Sequence, residues 1–183
     1  MMEIIYYVAM SLDGYIATPD GNVDWLVPFQ ARDEDYGYAS FYDSVDGLLF
    51  GRQTYEQIVE FGTWPYLGKP SWVLSHRSIV IQHPEVTLTA NNPEQVMDEL
   101  RRRGLKRVWL VGGASLASSF RKAGAIHAYI ITILPLMLGD GIRLIQPSSL
   151  SGQLELVRTQ AYPQGAVQLH YRSANPPQAM AKQ

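Results

Sequence analysis

The sequence contains no cysteine. This excludes disulfide scaffolds, thiolate zinc sites, iron–sulfur clusters and a cysteine nucleophile. The four histidines, at positions 76, 83, 127 and 170, stand singly and show no metal-ligand spacing. We therefore expect no metal site.

Long apolar runs are also missing. The longest strongly apolar stretch, residues 128–138, falls far short of the ~20 residues that a membrane-spanning helix needs. The chain begins Met-Met-Glu and shows no basic region followed by an apolar run, so no secretory signal is recognisable. These features predict a cytoplasmic protein that does not interact with membranes.

Charged residues make up only 17% of the chain and are nearly balanced, with 15 basic and 17 acidic side chains. The first 46 residues hold nine of the acids and a single base, Arg32. An overall acidic chain is a poor binder of nucleic acid, and Asp98 and Glu99 can pair with arginines in the basic run at residues 101–107. The basic excess after residue 46 leaves room for an anionic ligand.

Short apolar runs alternate with amphipathic segments, and 46% of the residues are hydrophobic. We predict helices at residues 33–44, 53–60, 94–103 and 114–123, and strands at residues 4–10, 47–51, 71–75, 86–90, 106–111, 128–133, 153–160 and 166–171. The third helix has the clearest start, with Asn92 as N-cap and Gln95 as its capping-box partner. This order predicts an α/β fold with a largely parallel sheet and an antiparallel edge. Residues 1–172 form one predicted domain, and residues 173–183 a flexible tail.

Sheets of this kind bind ligands beyond the carboxyl ends of their strands, where this sequence places glycines and arginines. Gly113 directly precedes a predicted helix and Gly51 stands two residues before another, and at such helix starts free N–H groups and the helix dipole favour an anion. Arg52 and Arg77 supply forked donors suited to phosphate, and Gly112 with Gly113 allows close approach to the backbone. Neither G-x-G-x-x-G nor a Walker loop is present. The pattern predicts a phosphorylated dinucleotide that touches several strand ends.

Four strings carry a family resemblance: Ser-Leu-Asp-Gly-Tyr-Ile-Ala at residues 11–17, Gly-Arg-Gln-Thr-Tyr-Glu at 51–56, Val-Gly-Gly-Ala at 111–114, and Pro-Leu-Met-Leu-Gly-Asp-Gly at 135–141. In this order the chain resembles the dihydrofolate reductase superfamily, and within it the riboflavin-pathway reductase, or pyrimidine reductase, branch. The resemblance implies a three-layer fold, with helices on both faces of a mixed, mostly parallel sheet of about eight strands. It implies a stand-alone reductase domain, because the chain has no cysteines for the zinc deaminase to which such domains are often fused.

The resemblance also implies an activity and a cofactor. Members of this superfamily bind NADPH and pass a hydride to a C=N or sugar C=O group of a small molecule. Carried over by motif, Ala9, Ile16 and Ala17 would flank the nicotinamide. The remaining implied contacts, to the pyrophosphate, the riboses and the 2′-phosphate, are Gly51, Arg52, Thr54, Ser75, Arg77, Gly112, Gly113, Ser115 and Leu116. An arginine at the 2′-phosphate favours NADP over NAD.

Two carboxylates are candidate proton donors. Asp35 stands at the distance from the Gly-Arg-x-Thr string at which folate reductases place their acid, and a solvated helix start explains it equally well. Asp13 resembles the aspartate of the riboflavin-type string and could bind substrate, but Asp-Gly after a strand is also an ordinary turn. Burial would raise the pKa of a carboxylate at the position of Asp13 toward the range of a proton donor. Trp25 resembles the family's substrate-side tryptophan. Together with Tyr36, Tyr38, Phe41 and Tyr42 it could wall a pocket for a flat heterocycle, although core packing explains most of these aromatic side chains equally well.

Other functions remain open. A non-catalytic dinucleotide-binding or regulatory module would keep the arginines and glycines but would need no proton donor. Ser115, Asp140 and His170 follow the order of a hydrolase triad, although Ala117 replaces the second glycine of G-x-S-x-G. A homodimer is expected from the family alone, since no sequence feature fixes it.

Overall fold

The computed structural model describes residues 1–30, 34–149 and 151–174. Within them the strands are β1 (Glu3–Ser11), β2 (Tyr15–Ala17), β3 (Gly47–Gly51), β4 (Ser71–Leu74), β5 (Val86–Thr89), β6 (Arg107–Gly112), β7 (Ala128–Leu134), β8 (Ile142–Arg143), β9 (Leu154–Ala161) and β10 (Val167–Ser173). The helices are α1 (Val27–Gln30), α2 (Tyr38–Ser44), α3 (Arg52–Glu60), α4 (Pro93–Arg102) and α5 (Ala114–Lys122), with a short 3-10 helix at Asp24–Leu26. No helix in these ranges is long and apolar enough to cross a membrane.

One eight-stranded sheet organises the fold, in the order β5-β4-β3-β6-β1-β7-β10-β9. The first six strands of this order run parallel, whereas β10 is antiparallel to both β7 and β9. The predicted mostly parallel sheet with an antiparallel C-terminal edge is confirmed. Strands β2 and β8 form a separate two-stranded sheet, which the sequence analysis did not predict because strands of two or three residues show no readable period.

Each face of the sheet carries its own core, because neighbouring residues of a strand point to opposite sides. Ile4 and Tyr6 belong to the cluster that contains the buried residues of α4 and α5. Ile5, between them, belongs to the cluster that contains Phe41 of α2 and Tyr55 of α3. The molecule therefore has three layers, with helices on both faces of the sheet.

The boundaries of two helices compare differently with their predictions. Helix α4 has the predicted capping box, in which Asn92 accepts from the Gln95 N–H and the Gln95 side chain bonds back to the Asn92 N–H. The predicted start of the helix before β3 is wrong, because α2 begins only at Tyr38. Tyr36 and Gly37 both have positive φ angles, of 54° and 76°, and this left-handed backbone cannot continue a right-handed helix. Residues 31–33 lie outside the described residues.

Strand β10 continues further than the predicted end of the domain. The Ser173 N–H donates to the His127 carbonyl, the Ser173 hydroxyl to the Ile126 carbonyl, and the Ala174 N–H to the Gln153 carbonyl. These bonds hold residues 173–174 in the sheet. The rest of the predicted tail, residues 175–183, lies outside the described residues, so its flexibility stays a prediction.

Candidate functional site

A cavity of about 570 Å³ opens at the carboxyl ends of β1 and β7, on the α2 side of the sheet. Ala9, Thr132 and Leu134 contribute its strand wall. The opposite wall comes from the 3-10 helix, α1 and the segment that leads into α2. Five aromatic side chains dominate the lining: Tyr7, Phe29, Tyr36, Tyr38 and Tyr66. The cavity has the walls that a flat, partly apolar ligand requires.

A chain of hydrogen bonds underlies the cavity. Gln168 of β10, which is 3% exposed, donates from Nε2 to the Tyr36 carbonyl and to the Thr132 hydroxyl, both at 2.9 Å. Its Oε1 lies 2.7 Å from His170 Nε2, and the Tyr7 hydroxyl donates to the same Tyr36 carbonyl at 3.3 Å. Burial lowers the pKa of His170, and nearby Arg158 lowers it further. The network ties the segment at residues 34–38 to the sheet.

Tyr36 occupies an unusual place in this segment. Its φ of 54° is a left-handed conformation that side chains other than glycine rarely adopt, and such outliers persist where surrounding contacts hold them. Its carbonyl accepts the bonds from Gln168 and Tyr7, and its ring lies edge-on to Tyr162 with centroids 4.9 Å apart. The predicted wall position of Tyr36 agrees with its place in the cavity lining.

Asp35 lies at the cavity mouth, and its carboxylate caps the start of α2. One oxygen accepts from the Gly37 N–H at 2.8 Å and the other from the Ala39 N–H at 2.9 Å. These bonds lower the pKa of Asp35, mainly through Ala39 and then Gly37. Burial acts in the opposite direction and is outweighed, because the carboxylate is exposed and accepts two N–H bonds that favour its charged form. Its proposed catalytic role stays a prediction.

Asp13 is committed to the loop after β7. It accepts from the Ser11 hydroxyl at 2.6 Å, the Leu138 N–H at 3.1 Å and the Gly139 N–H at 2.7 Å. These bonds, led by the Ser11 hydroxyl, lower the pKa of Asp13, so the expectation of a raised pKa at this position is wrong. Asp13 does not line the cavity. Its hydrogen bonds give it a structural role as a clamp, because they join the loop after β1 to the loop after β7. Its catalytic and substrate-binding roles remain predictions.

The ends of β3 and β6 approach each other closely. A Cβ atom added to Gly51 would lie 3.4 Å from the Gly113 nitrogen and 3.6 Å from Leu116 Cβ, and one added to Gly113 would lie 3.2 Å from Thr54 Oγ1. The Gly112–Gly113 peptide bond is cis, and Gly112 has a φ of 132°. The structure therefore brings together five of the predicted cofactor residues, with the half-buried Gly51 and Gly113 at the two strand ends.

Two helices start at this glycine edge, α3 after Gly51 and α5 after Gly113. Neither has a side-chain cap, in contrast to α4 with its complete capping box. Their first N–H groups are thus not bonded by a capping side chain and suit an anion. Ser115 is exposed in the first turn of α5. Arg52, the first residue of α3, is engaged in an ion pair, since its guanidinium lies 2.6 Å from the Glu56 carboxylate.

Ser75 and Arg77 follow β4, the neighbour of β3. The Ser75 hydroxyl accepts from the Arg77 N–H and donates to the Arg77 carbonyl, each at 2.9 Å. This turn leaves the Arg77 side chain exposed. Among the residues that the structure describes, no carboxylate pairs with it. The guanidinium can bind an external anion.

The predicted nicotinamide and substrate residues divide between two regions. Ala9 lines the cavity and packs in one cluster with Trp25, Leu26 and Tyr36. Trp25 Nε1 is buried, and no hydrogen-bond partner for it is found among the residues that the structure describes. Ile16 packs instead against the core under α4 and α5, and the buried Ala17 pairs with Ile142 of β8. The structure thus packs Trp25 in one cluster with the cavity residue Ala9, although Trp25 is not itself a lining residue. It places Ile16 and Ala17 in the small sheet.

The hydrolase triad is contradicted. His170 bonds to Gln168 on the α2 face of the sheet, whereas α5, which carries Ser115, packs on the other face. Asp140 is exposed and accepts from the N–H of Gly141. Within the described ranges no hydrogen bond joins the three residues, and no group of three His, Asp or Glu side chains could hold a metal.

Sequence reasoning missed the residues beneath the cavity, Thr132 and Gln168 with its partner His170, and the wall residues Tyr7 and Tyr66. Thr132 and Gln168 face each other across the antiparallel pairing of β7 and β10. The signal in the sequence was a polar residue at a strand position that faces the protein interior. That orientation could be recognised only once the pairing of β7 with β10 was known. Of the predicted aromatic wall, Tyr36 and Tyr38 line the cavity, whereas Phe41 and Tyr42 do not. Phe41 is buried in the core on the α2 face, and the Tyr42 ring packs against Tyr38 and Tyr66.

Comparison with known proteins agrees with this geometry. The RibD C-terminal domain family matches residues 2–168. The chain is 38% identical over 170 residues to the uncharacterized protein YwjB of Bacillus subtilis (strain 168), with 92% of this chain and 97% of that protein covered. It superposes with a TM-score of 0.86 and 28% identity on a Shewanella sp. PV-4 protein provisionally named for riboflavin biosynthesis, covering 95% and 100% of the two chains.

A more distant likeness shows the fold alone. The Thermotoga maritima protein named diaminohydroxyphosphoribosylaminopyrimidine deaminase/5-amino-6-(5-phosphoribosylamino)uracil reductase is 13% identical, with a TM-score of 0.71. The match covers 94% of this chain and 57% of that one. The resemblance that the four sequence strings carry is confirmed by the family match and the shared architecture. The chain belongs to the RibD C-terminal domain family.

Proposed function

We propose that this protein is an NADPH-dependent reductase that transfers a hydride to a small heterocyclic substrate of the riboflavin-pathway type. The observation that carries the proposal is the placement of two unlike sites on one edge of the sheet. The glycine edge lies at the ends of β3 and β6, and the aromatic cavity at the ends of β1 and β7. These four strands are parallel neighbours, so their carboxyl ends lie side by side.

The residues at the glycine edge fit a phosphorylated dinucleotide. A side chain at Gly51 or Gly113 would fill the space between the two strand ends, so glycine there keeps the backbone accessible. The uncapped starts of α3 and α5 offer N–H donors to a pyrophosphate. Arg77 is available for the additional phosphate that distinguishes NADPH from NADH. The bound cofactor would supply the hydride.

The cavity residues position the substrate. The aromatic walls hold a flat ring against the strand that carries Ala9. Burial raises the pKa of Tyr38 to about 12 and also raises the pKa of Tyr7. Both hydroxyls stay protonated at neutral pH. Tyr7 already donates to the Tyr36 carbonyl, and Tyr38 can donate a hydrogen bond to a carbonyl group of a heterocycle.

Asp35 acts in its ionised form. Because its pKa is lowered, it holds no proton near neutral pH and accepts N–H bonds from the substrate. In the proposed reaction the carbon of a substrate C=N bond receives the hydride, and the nitrogen receives a proton from a water molecule at the open mouth of the cavity. The water becomes hydroxide and is neutralised by the buffer.

The cofactor assignment is tested by titrating the protein with NADPH and with NADH. Wild-type protein should prefer NADPH, and Arg77→Ala should reduce NADPH affinity about 10- to 100-fold, because a charged hydrogen bond contributes ~1.5–3 kcal/mol. NADH affinity should stay unchanged. The matched control is Arg102→Ala, which removes another exposed arginine at the end of α4. Equal affinity of the wild-type protein for both cofactors would refute the assignment, and NADPH binding without turnover of any pyrimidine would favour a non-catalytic module.

A further inference from the structure

The described charged side chains of the cavity lining are of one sign. Among its described lining residues, Glu34 and Asp35 are the charged side chains, and none is basic. Asp35 is ionised at neutral pH because its pKa is lowered. Glu34 is half-buried, and its Oε1 accepts from the Tyr36 N–H at 3.0 Å. A ligand in the cavity therefore meets two carboxylates on the same short segment.

Basic side chains near this face of the sheet are engaged elsewhere. Lys69 donates to the Val45 carbonyl and lies 4.4 Å from the centre of the Tyr42 ring. Arg158 donates to the Gln160 side chain. Arg52 pairs with Glu56 on the cofactor side of the edge. None of the three lines the cavity, so within the described residues no cation stands ready to bind a phosphate group there.

The remaining polar groups of the lining suit an uncharged ring. Tyrosine hydroxyls donate to ring carbonyl groups, and the carboxylates accept from ring or exocyclic N–H groups. The phosphate-binding features, two uncapped helix starts and Arg77, belong to the glycine edge at β3, β4 and β6. Phosphate recognition and ring recognition are therefore separated along the sheet.

From this separation we infer that the cavity takes a flat, N–H-bearing heterocycle that is neutral or positively charged and carries no phosphate. This inference rests on the proposed function, since it specifies the substrate of the same reductase. It departs from the phosphoribosyl substrate in the name of the Thermotoga maritima neighbour. A phosphate would bring up to two negative charges beside Glu34 and Asp35, and like charges at close range oppose binding.

The test compares one ring with and without the phosphate. Ribosylaminouracil and its phosphate ester are titrated into the protein by calorimetry, with and without saturating NADPH. The unphosphorylated compound should bind at least about tenfold more tightly. Glu34→Gln keeps an acceptor for the Tyr36 N–H and removes one charge, so it should reduce the ratio by about threefold or more. The control is Asp43→Asn, which removes an exposed charge from α2 outside the cavity lining and should leave the ratio unchanged.

The outcomes separate this inference from the proposed function. Equal or tighter binding of the phosphate ester overturns the inference, as does binding of NADPH with no binding of either compound. An equal change of the ratio in Glu34→Gln and Asp43→Asn also overturns it, because the effect would then come from net charge. Discrimination against the ester in a protein that binds no NADPH supports the inference and overturns the cofactor assignment.

Discussion

Replacing Gln168 by leucine tests whether the polar network under the cavity stabilises the protein. The change keeps the approximate volume of the side chain and removes its bonds to the Tyr36 carbonyl, the Thr132 hydroxyl and His170. Thr132, which is 4% exposed, stays buried and loses the hydrogen bond that Gln168 donates to its hydroxyl. The Tyr36 carbonyl retains the Tyr7 hydroxyl, and the half-buried His170 can reach water.

The expected cost follows from these three groups. A buried polar group without a partner costs about 1–3 kcal/mol. Thr132 bears this cost in full, and Tyr36 and His170 bear part of it. We expect the free energy of unfolding to fall by about 2–4 kcal/mol. The matched control is Gln160→Leu, at the paired position of the edge strand β9, which should change stability by less than about 1 kcal/mol.

Urea denaturation followed by tyrosine and tryptophan fluorescence measures the effect. The double variant Gln168→Leu with Thr132→Val should recover part of the loss, since removing both partners of a buried bond is nearly neutral. In folded Gln168→Leu protein, substrate affinity should fall while NADPH affinity is retained, because the loosened segment carries Asp35 and not the glycine edge. A loss below about 1 kcal/mol, or a double variant less stable than the single one, would refute the reasoning.

Two further predictions concern the loop at residues 135–141. Gly141→Ala should lower the free energy of unfolding by about 3 kcal/mol, because its Cβ would overlap the Ala17 carbonyl oxygen. The control is Gly139→Ala, whose Cβ would meet no other atom and which should lower the free energy of unfolding by about 1 kcal/mol. Equal losses of stability in the two variants on thermal unfolding would contradict this account. Asp13→Asn should destabilise the protein at neutral pH. The Asp13 pKa is lowered on folding, so its contribution is present above the unfolded pKa of about 4 and is lost as the pH falls through the folded value. Urea titrations should show that the difference in the free energy of unfolding between wild type and variant becomes smaller from neutral to acid pH. A difference that grows toward acid pH would exclude the clamp.

The fold was predictable because the local signals agree with the architecture. The alternation of apolar runs gave the large strands, and Asn92 with Gln95 marked the start of α4. The start of α2 was not predictable, since nothing in the sequence around Tyr36 announces a left-handed conformation at a tyrosine. Strands β2 and β8 are defined by pairing with each other, which a single short segment does not encode.

The glycine edge and the cavity also differed in how far they could be predicted from the sequence. Gly51, Thr54 and Gly113 were recognisable because they follow strands in motifs with fixed spacing. Gln168 was not recognisable, because its partner Tyr36 is 132 residues away and the two meet through tertiary structure alone. Asp35 was singled out from the sequence and lines the cavity. The direction of its pKa shift depended on backbone N–H groups whose orientation the sequence does not reveal.

The position of Gln168 near the end of the chain has a consequence for the order of assembly. Strand β10 lies between β7 and β9 and supplies the bonds that fix Tyr36 over the sheet. During synthesis the glycine edge can form from residues 51–116, whereas the cavity waits until residue 168 has left the ribosome. Such long-range contacts form slowly. A nascent chain of this protein therefore completes the elements of its glycine edge before it can close its aromatic cavity.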